Sequence, residues 1–323
     1  MKKSIKMTYK TLTIETAFEN FLTLKKSEGR STETLRAYRT QAKCFLNYCE
    51  AHKITKVEQI NFTLINAYKS YLVDRKDLTP DTRASYLRVV KCFANYLMES
   101  EEIESFKIKS FSTPSKTHVS TYSDEEIKKL INCKWSKSKE FSEYRDYVLM
   151  VTLLLTGARR STVLGMKISD VDFTNDLLTL GHIKRDNTFQ IRQIPLNPDL
   201  RPVLEKYLRK TGIAKQCEYL FPNVSGDALH PDTVNKRMEK LFNAADVEFR
   251  GCHEFRRTFA TKSYNALGDL NKTQKLMMIS DPRILQRYVN TDMKVLQDSV
   301  QELTFITQIK APRNLRGALK KGA

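Results

Sequence analysis

Five polar residues in the second half of the chain stand where core packing alone gives no reason for them. Arg159 follows a predicted buried helix, Lys184 lies on a predicted hairpin, and Tyr288 lies near the C-terminus. His253 and Arg256 are three residues apart, which places them on one face if the segment is helical. Arginine binds oxyanions bidentately, histidine moves protons near neutral pH, and tyrosine can act as a covalent nucleophile. Each residue alone is more often structural than functional, so the surrounding elements must decide.

Both halves of the chain carry an excess of positive charge. The 323 residues include 55 Lys and Arg against 37 Asp and Glu, a net charge of +18. Divided at His118, the first part has 21 basic and 13 acidic residues, and the second part has 34 and 24. This distribution fits two domains that contact one long polyanion. A lysine-rich composition without such a partner is the alternative that charge alone leaves open.

Length and composition exclude several classes of protein. Sixteen Phe, 14 Tyr and many Leu and Ile residues can form a core in each of two domains. No apolar run approaches the roughly 18 residues of a membrane-spanning helix, and the basic N-terminus lacks the apolar region of a signal peptide. We therefore expect a cytoplasmic protein without a membrane partner, associated with the nucleoid if the host is a prokaryote. The six scattered cysteines form no Cys-x-x-Cys pair, so we expect no disulfide framework, no metal and no cofactor.

Composition shifts and helix start signals divide the chain. Ser31 and Thr79-Pro80 are start signals for two long amphipathic helices in a predicted bundle of four or five helices. A polar stretch without periodicity then predicts a linker. The predicted divisions are an N-terminal extension (1–10), a helical domain (11–106), a linker (107–121), a second domain (122–295) and a C-terminal segment with a basic tail (296–323).

The second domain has mixed secondary structure. Ser123 caps its first helix, and residues 145–155 predict a buried helix. Two strand-like pieces, residues 177–180 and 189–196, predict a small β-hairpin with a basic turn at 184–187. The remainder of the domain is predicted to be mainly helical.

Two segments of this domain resemble the tyrosine recombinase (phage integrase) family. Arg159 lies in TGARRSTVLGMKISDVDF, which is similar to the family motif TGLRxSELLxLxxxDID. The segment HEFRRTFATKSYNALGDLNKTQKLMMISDPRILQRYVN is similar to the family block HDLRHTFAT…GxDxxxIQxLLGHSSxxTTxxYxH. Lys184 is 25 residues after Arg159, and Tyr288 is 32 residues after Arg256, the places of the family's lysine and tyrosine. The resemblance spans about residues 11–295, since the helical domain is similar to the family's core-binding domain.

The resemblance implies a mainly α fold with a small β-sheet, in which a helical core-binding (SAM-like) domain precedes an α+β catalytic domain. It implies a site-specific DNA recombinase, the integrase or transposase of a mobile element. Such an enzyme cuts and rejoins double-stranded DNA through a 3′-phosphotyrosine, without metal or ATP, as a tetramer on its specific site. A Xer-like resolvase of replicon dimers and a catalytically impaired DNA-binding family member remain as alternatives.

The resemblance also assigns roles to the five residues. Tyr288 attacks phosphorus, while Arg159 and Arg256 bind the nonbridging oxygens. Lys184 protonates the departing 5′ oxygen, and His253 assists the proton transfer from the nucleophile. Positioning and charge stabilisation then supply most of the catalysis.

Two positions depart from the family pattern. Ile279 stands where the family has a His or Trp that binds the scissile phosphate, and isoleucine has no hydrogen-bond donor. Thr162 replaces an acid that follows the first arginine of the motif. A metal-dependent nuclease is the third interpretation, but its nearest candidate ligands, Asp170, Asp172 and Asp176, are expected to cap the turn into the hairpin.

Basic side chains beside Ser/Thr-rich helix starts are the expected contacts to the DNA backbone. Their positions depend on helix faces that the sequence only predicts. The expected DNA-binding residues are Arg30, Arg36, Arg39, Lys43, Arg83, Arg88, Lys91 and Arg185.

Overall fold

A computed structural model describes residues 12–112, 120–185 and 188–278, and the side chains of residues 182–192 lie outside this description. The chain divides into two compact units, residues 1–115 and 116–323. Within the described ranges, the first unit is helical and the second combines helices with one small sheet, as the sequence predicts. Among the described residues, no helix combines the length and the apolar character that crossing a bilayer demands.

The described part of the first unit, residues 12–112, is built on four α-helices, each of which begins at a side chain that accepts a main-chain N–H hydrogen bond. The caps are Thr13, Ser31, Asn61 and Thr79, in chain order. Two of these starts, at Ser31 and Thr79, were predicted from the sequence. The helices are α1 (Ile14–Ser27), α2 (Thr32–Ala51), α3 (Phe62–Asp74) and α4 (Pro80–Glu99).

Aromatic rings form the centre of this unit. The ring of Phe93 on α4 packs edge-on against Phe18 of α1 at 5.3 Å, and Phe45 of α2 packs edge-on against Tyr68 of α3 at 5.0 Å. The core also includes Ile108, which is buried although the predicted linker begins at residue 107. Burial of this side chain fixes the chain on its own unit beyond the last helix.

The second unit surrounds a helix that is buried along nearly its whole length. This helix, α6 (Phe141–Thr156), packs against α8 (Leu200–Thr211), α9 (Pro231–Ala244) and α10 (His253–Leu267). With 16 residues, it is longer than the buried helix predicted at residues 145–155. The elements are α5 (Asp124–Ile131), α6 (Phe141–Thr156), α7 (Arg160–Leu164), β1 (Val171–Asp172), β2 (Leu177–Arg185), β3 (Thr188–Pro195), α8 (Leu200–Thr211), α9 (Pro231–Ala244), α10 (His253–Leu267) and α11 (Leu270–Leu276).

A buried carboxylate ties α6 to α9. Asp146 is fully buried, and its two oxygens accept hydrogen bonds from Arg145 and from Arg237 of α9. Arg145 also donates to the carbonyl of Pro222 at 2.8 Å. Because one carboxylate is paired with two guanidiniums, removal of Asp146 would leave the positive charges of Arg145 and Arg237 uncompensated.

The sheet is antiparallel in the order β1-β2-β3. The predicted hairpin is present, but its strands are longer than predicted: Lys184 and Arg185 belong to β2, opposite Phe189 and Thr188, rather than to the turn. Pairing with β3 extends β2 through Lys184 and Arg185, where the local sequence predicts a turn.

The three aspartates considered as metal ligands have structural partners. Asp172 accepts hydrogen bonds from two main-chain N–H groups of the following turn, and Asp170 accepts one from Lys167. Asp176 forms an ion pair with Arg201. The main-chain contacts of Asp170 and Asp172 agree with the capping role expected from the sequence, whereas the Asp176 side chain pairs with an arginine instead.

Candidate functional site

The site begins where α6 ends. Gly157 terminates α6 in the left-handed conformation, with φ +58°, which residues other than glycine rarely adopt. A Cβ atom here would lie 2.4 Å from the ring of Phe259 on α10, so the position also lacks space for a side chain. The turn places Arg159, the residue before α7, on the surface of the unit.

The second guanidinium belongs to a buried side chain. Arg256 is 4% exposed and donates from Nη1 to the carbonyl of Gly157 at 2.6 Å. Its Nη2 donates to the carbonyl of Met277, just beyond α11, at 3.0 Å. Two main-chain oxygens from separate elements therefore fix the orientation of Arg256.

Arg159 and Arg256 line the same cavity, which has a volume of about 160 Å³. The structure thus brings together two arginines that are 97 positions apart in the sequence. Two guanidiniums on one small cavity have the charge and the donor geometry to bind an anion with several oxygens. The full lining is Thr156, Ala158, Arg159, Thr162, Leu180, Gly181, Arg256, Leu276, Met277 and Met278.

His253 is the first residue of α10, one turn before Arg256. Partial desolvation of the imidazole lowers the pKa of His253 below its ordinary value of 6.5, and the positive charges of Arg257, Arg256 and Arg159 lower it further. The side chain is exposed at the protein surface. A neutral imidazole at neutral pH can accept a proton from a bound group.

Sequence reasoning missed Glu254, the neighbour of His253. This carboxylate is 2% exposed and lies between Arg250, at 3.5 Å, and Arg257, at 3.4 Å. It places a buried negative charge within a cluster of arginines and so reduces their mutual repulsion. The sequence signal that could have identified Glu254 is its place in the first turn of the predicted helix, where the helix dipole favours a negative charge.

Four of the predicted site residues lie wholly or partly outside the part of the chain that the structure describes. Tyr288 and Ile279 lie outside the described residues. The backbone of Lys184 and Arg185 lies in β2, but their side chains are not described. Thr162, which departs from the family pattern, lines the cavity.

The predicted DNA-binding residues of the first unit differ in exposure. Arg30, Arg36, Lys43 and Arg88 are exposed, and the exposed Arg39 forms an ion pair with Glu19. The last two are less accessible: Lys91 is half-buried, and Arg83 is half-buried and donates to the carbonyl of Arg75 at 2.8 Å. The sequence predicts Arg83 on an exposed helix face. The hydrogen bond to Arg75 shows that Arg83 also links α4 to the loop that precedes it.

Two family models together match most of the chain. Residues 121–294 match the model of the phage integrase family. Residues 13–113 match the model of the phage integrase SAM-like domain. The two matched ranges correspond to the two compact units.

Curated relatives match nearly the full length. Tyrosine recombinase XerA of Pyrococcus furiosus is 26% identical over 308 residues, which cover 94% of this chain and 99% of the relative. Tyrosine recombinase XerC of Leptospira interrogans is 23% identical over 288 residues, with coverage of 87% and 89%.

Solved structures share the fold. The pre-cleavage complex of the XerH site-specific recombinase with its difH substrate has a TM-score of 0.63 at 21% identity, with 88% of this chain and 83% of that chain covered. A lambda integrase dimer bound to a COC' core site has a TM-score of 0.64 at 16% identity, with 86% and 96% covered. The Tn1549 transposon integrase with circular intermediate DNA has a TM-score of 0.64 at 15% identity, with 88% and 98% covered. With its paired arginines, its fold and its family-model matches, the chain belongs to the phage integrase family of tyrosine recombinases.

Proposed function

We propose that this protein is a site-specific DNA recombinase that cuts and rejoins DNA through a covalent bond to Tyr288. The observation that carries this proposal is the cavity shared by Arg159 and Arg256. The positive charges of Arg159 and Arg256 both lower the pKa of His253, which places its imidazole close to the two arginines. An anion site beside a neutral proton acceptor suits phosphoryl transfer without a metal.

The reaction proceeds in two steps. The Tyr288 hydroxyl attacks the scissile phosphorus, and a bond forms from the tyrosine oxygen to phosphorus as the bond to the 5′ oxygen breaks. His253 assists removal of the phenol proton, and Lys184 supplies a proton to the departing oxygen. Arg159 and Arg256 stabilise the added negative charge on the nonbridging oxygens. Attack by the 5′-hydroxyl of another strand reverses these steps, so no ATP is consumed.

Two departures from the family pattern bear on the rate. Ile279 cannot donate a hydrogen bond to the phosphate, and loss of one such donor costs about 3 kcal/mol of transition-state stabilisation. Thr162 lines the cavity with a hydroxyl in place of a carboxylate. We expect a slower enzyme whose mechanism is unchanged.

A nicked suicide duplex that carries the recombination site tests the proposal. The wild-type protein should form a 3′-linked, protease-sensitive adduct, and Tyr288→Phe should abolish it. EDTA should leave the yield unchanged. An adduct that survives Tyr288→Phe, or cleavage that requires magnesium, would contradict the mechanism.

Among the biological roles, we favour the integrase or transposase of a mobile element, a class to which the structurally similar Tn1549 integrase belongs by name. The Xer names of the curated relatives favour a second candidate, the resolution of replicon dimers. The DNA flanking the coding region separates the two. A mobile-element enzyme should recombine the ends of its own element, whereas a resolvase should recombine two copies of a replicon site.

DNA is the proposed partner, together with further copies of this chain. Two strand exchanges require four nucleophiles on two duplexes, so the working unit is a tetramer on DNA. We propose a cytoplasmic location, on the nucleoid if the host is a prokaryote.

A further inference from the structure

Two helices that carry site residues begin without a capping side chain. α7 starts after Arg159 and α10 starts after Cys252, and neither of these side chains accepts a hydrogen bond from its own helix. By contrast, Ser123 caps α5 in a reciprocal capping box. The positions of the first turns of α7 and α10 must therefore be fixed by other contacts.

Asn235 on α9 contacts both helix starts. Its side-chain oxygen accepts a hydrogen bond from Nη1 of Arg160 at 2.7 Å and from Sγ of Cys252 at 3.6 Å. Arg160 directly follows Arg159, and Cys252 directly precedes His253. One amide oxygen is thus joined to the chain neighbours of both site residues.

The chemistry of the partners determines the orientation of this amide. Burial raises the pKa of the Cys252 thiol to about 11, so at neutral pH the thiol is protonated and can donate. The guanidinium of Arg160 can only donate. Because both partners are donors, the oxygen of Asn235 rather than its nitrogen must face them. Arg160, Asn235 and Cys252 are all partly buried, which limits competition from water.

We propose that Asn235 is a positioning residue, which holds Arg159 and His253 in a fixed relation around the scissile phosphate. The inference rests on the proposed function. Asn235 acts through Arg160 and Cys252 and does not itself touch the substrate. Without it, the first turns of α7 and α10 lose a shared contact and can shift relative to each other, and a misplacement of about 1 Å in a catalytic site costs on the order of 100-fold in rate.

Three variants test this role in the suicide-duplex assay at saturating protein. Asn235→Leu removes the acceptor oxygen and should lower the cleavage rate by at least about tenfold, with the Kd for DNA unchanged. Asn235→Asp retains an acceptor oxygen and should cleave at nearly the wild-type rate. Asn243→Leu, the same substitution at an exposed position of α9, is the matched control and should change neither quantity.

A second measurement does not depend on DNA. Alkylation of Cys252 by iodoacetamide, followed by peptide mass spectrometry, should be faster in Asn235→Leu than in the wild type. It should be no faster than wild type in Asn235→Asp, because a carboxylate disfavours the thiolate, and unchanged in the Asn243→Leu control. This reaction reports the accessibility and ionisation of the thiol, so it tests the contact with Asn235 without DNA. Absence of a DNA adduct in the wild type would reject the proposed function instead.

Several results would overturn the positioning role. A wild-type cleavage rate in Asn235→Leu would show that the hydrogen bonds of Asn235 are not needed for catalysis. A weaker Kd with an unchanged cleavage rate would make Asn235 a DNA contact. An unchanged alkylation rate in Asn235→Leu would show that the thiol is not held by this amide.

Discussion

The buried guanidinium of Arg256 donates a hydrogen bond of 2.6 Å to the main-chain carbonyl of Gly157. Gly157 ends α6 two residues before Arg159, while Arg256 belongs to α10. This single contact joins the two chain segments that carry the paired arginines of the cavity.

Replacement of Gly157 by alanine should destabilise the protein and displace Arg256. The residue has φ +58°, and an added Cβ would meet the Phe259 ring at 2.4 Å. Backbone strain and the clash together should lower the free energy of unfolding by about 3 kcal/mol. Chemical denaturation measures this change, and the suicide-duplex assay should show a parallel loss of cleavage.

Gly268 provides the control. It also ends a helix in the left-handed conformation, with φ +62°, but no described atom would lie within 4 Å of a Cβ added there. Gly268→Ala should therefore cost only the backbone strain, about 1 kcal/mol. Equal losses at the two positions would show that contact with Phe259 is unimportant.

Arg256→Lys should lower cleavage far more than its retained charge suggests. Lysine cannot reach two carbonyl oxygens and a phosphate with fixed planar geometry. We expect a rate loss of about 100-fold or more and a fall in unfolding free energy of about 1–3 kcal/mol, since buried carbonyls lose a partner. Single-turnover cleavage and thermal unfolding measure the two effects. A lysine variant with the wild-type rate would contradict the assigned orientation.

The pKa of His253 should lie below 6.5 in the folded protein. Above pH 6.5 the imidazole is neutral in both the folded and the unfolded chain, so it contributes no pH dependence there. As the pH falls from 6.5 towards the folded-state pKa, the unfolded chain binds the proton first, and stability is lost. The loss should be smaller in His253→Asn, when melting temperatures at pH 7.5 and 5.5 are compared.

Arg257→Gln checks the cause of this shift. Among the charged groups acting on His253, Arg257 lowers its pKa most. NMR titration should show a higher His253 pKa in Arg257→Gln than in the wild type. An unchanged value would exclude Arg257 as a cause and leave desolvation with the charges of Arg256 and Arg159.

Arg36→Gln should weaken DNA binding and reduce its salt dependence. Arg36 is exposed on α2. Each lost phosphate contact should reduce the slope of log K against log salt by about 0.9. Arg75→Gln removes the same charge from a side chain already paired with Asp77, and should change the slope less. Equal slopes for both variants would argue against a phosphate contact at Arg36.

Truncation after residue 292 should separate DNA binding from assembly. Residues 296–306 contain Val300, Leu303 and Phe305, which we expect to dock on a neighbouring subunit in a closed ring. The truncated protein should bind a single site but fail in cooperative pairing and strand exchange. Gel-shift and recombination assays measure these steps, and normal recombination by the truncated protein would exclude this segment as the assembly element.

Local signals predicted the helices well, whereas the contacts of the site required the fold. Capping residues such as Ser31 and Ser123 act within four residues, so the sequence alone located these helix starts. The end of β2 at Arg185 depends on pairing with Thr188 across the sheet, and the local sequence predicted a turn there.

The residues of the cavity show the same division. Residue types and their order pointed to Arg159 and Arg256. The partners of Arg256 are main-chain oxygens, and any residue type supplies such an oxygen, so no sequence pattern marks Gly157 or Met277 as acceptors. The burial of Glu254 likewise depends on arginines brought close by the folded helix.

The anchoring of Arg256 on main-chain oxygens has an evolutionary consequence. At Met277 the hydrogen bond uses the main-chain oxygen and does not depend on the side chain, so residues that fill the same space can replace methionine. At Gly157 substitution is not tolerated, because the backbone conformation and the Phe259 ring exclude every larger residue. Natural variants of this protein should therefore be diverse at position 277 and nearly uniform at position 157, although both positions supply the same kind of bond.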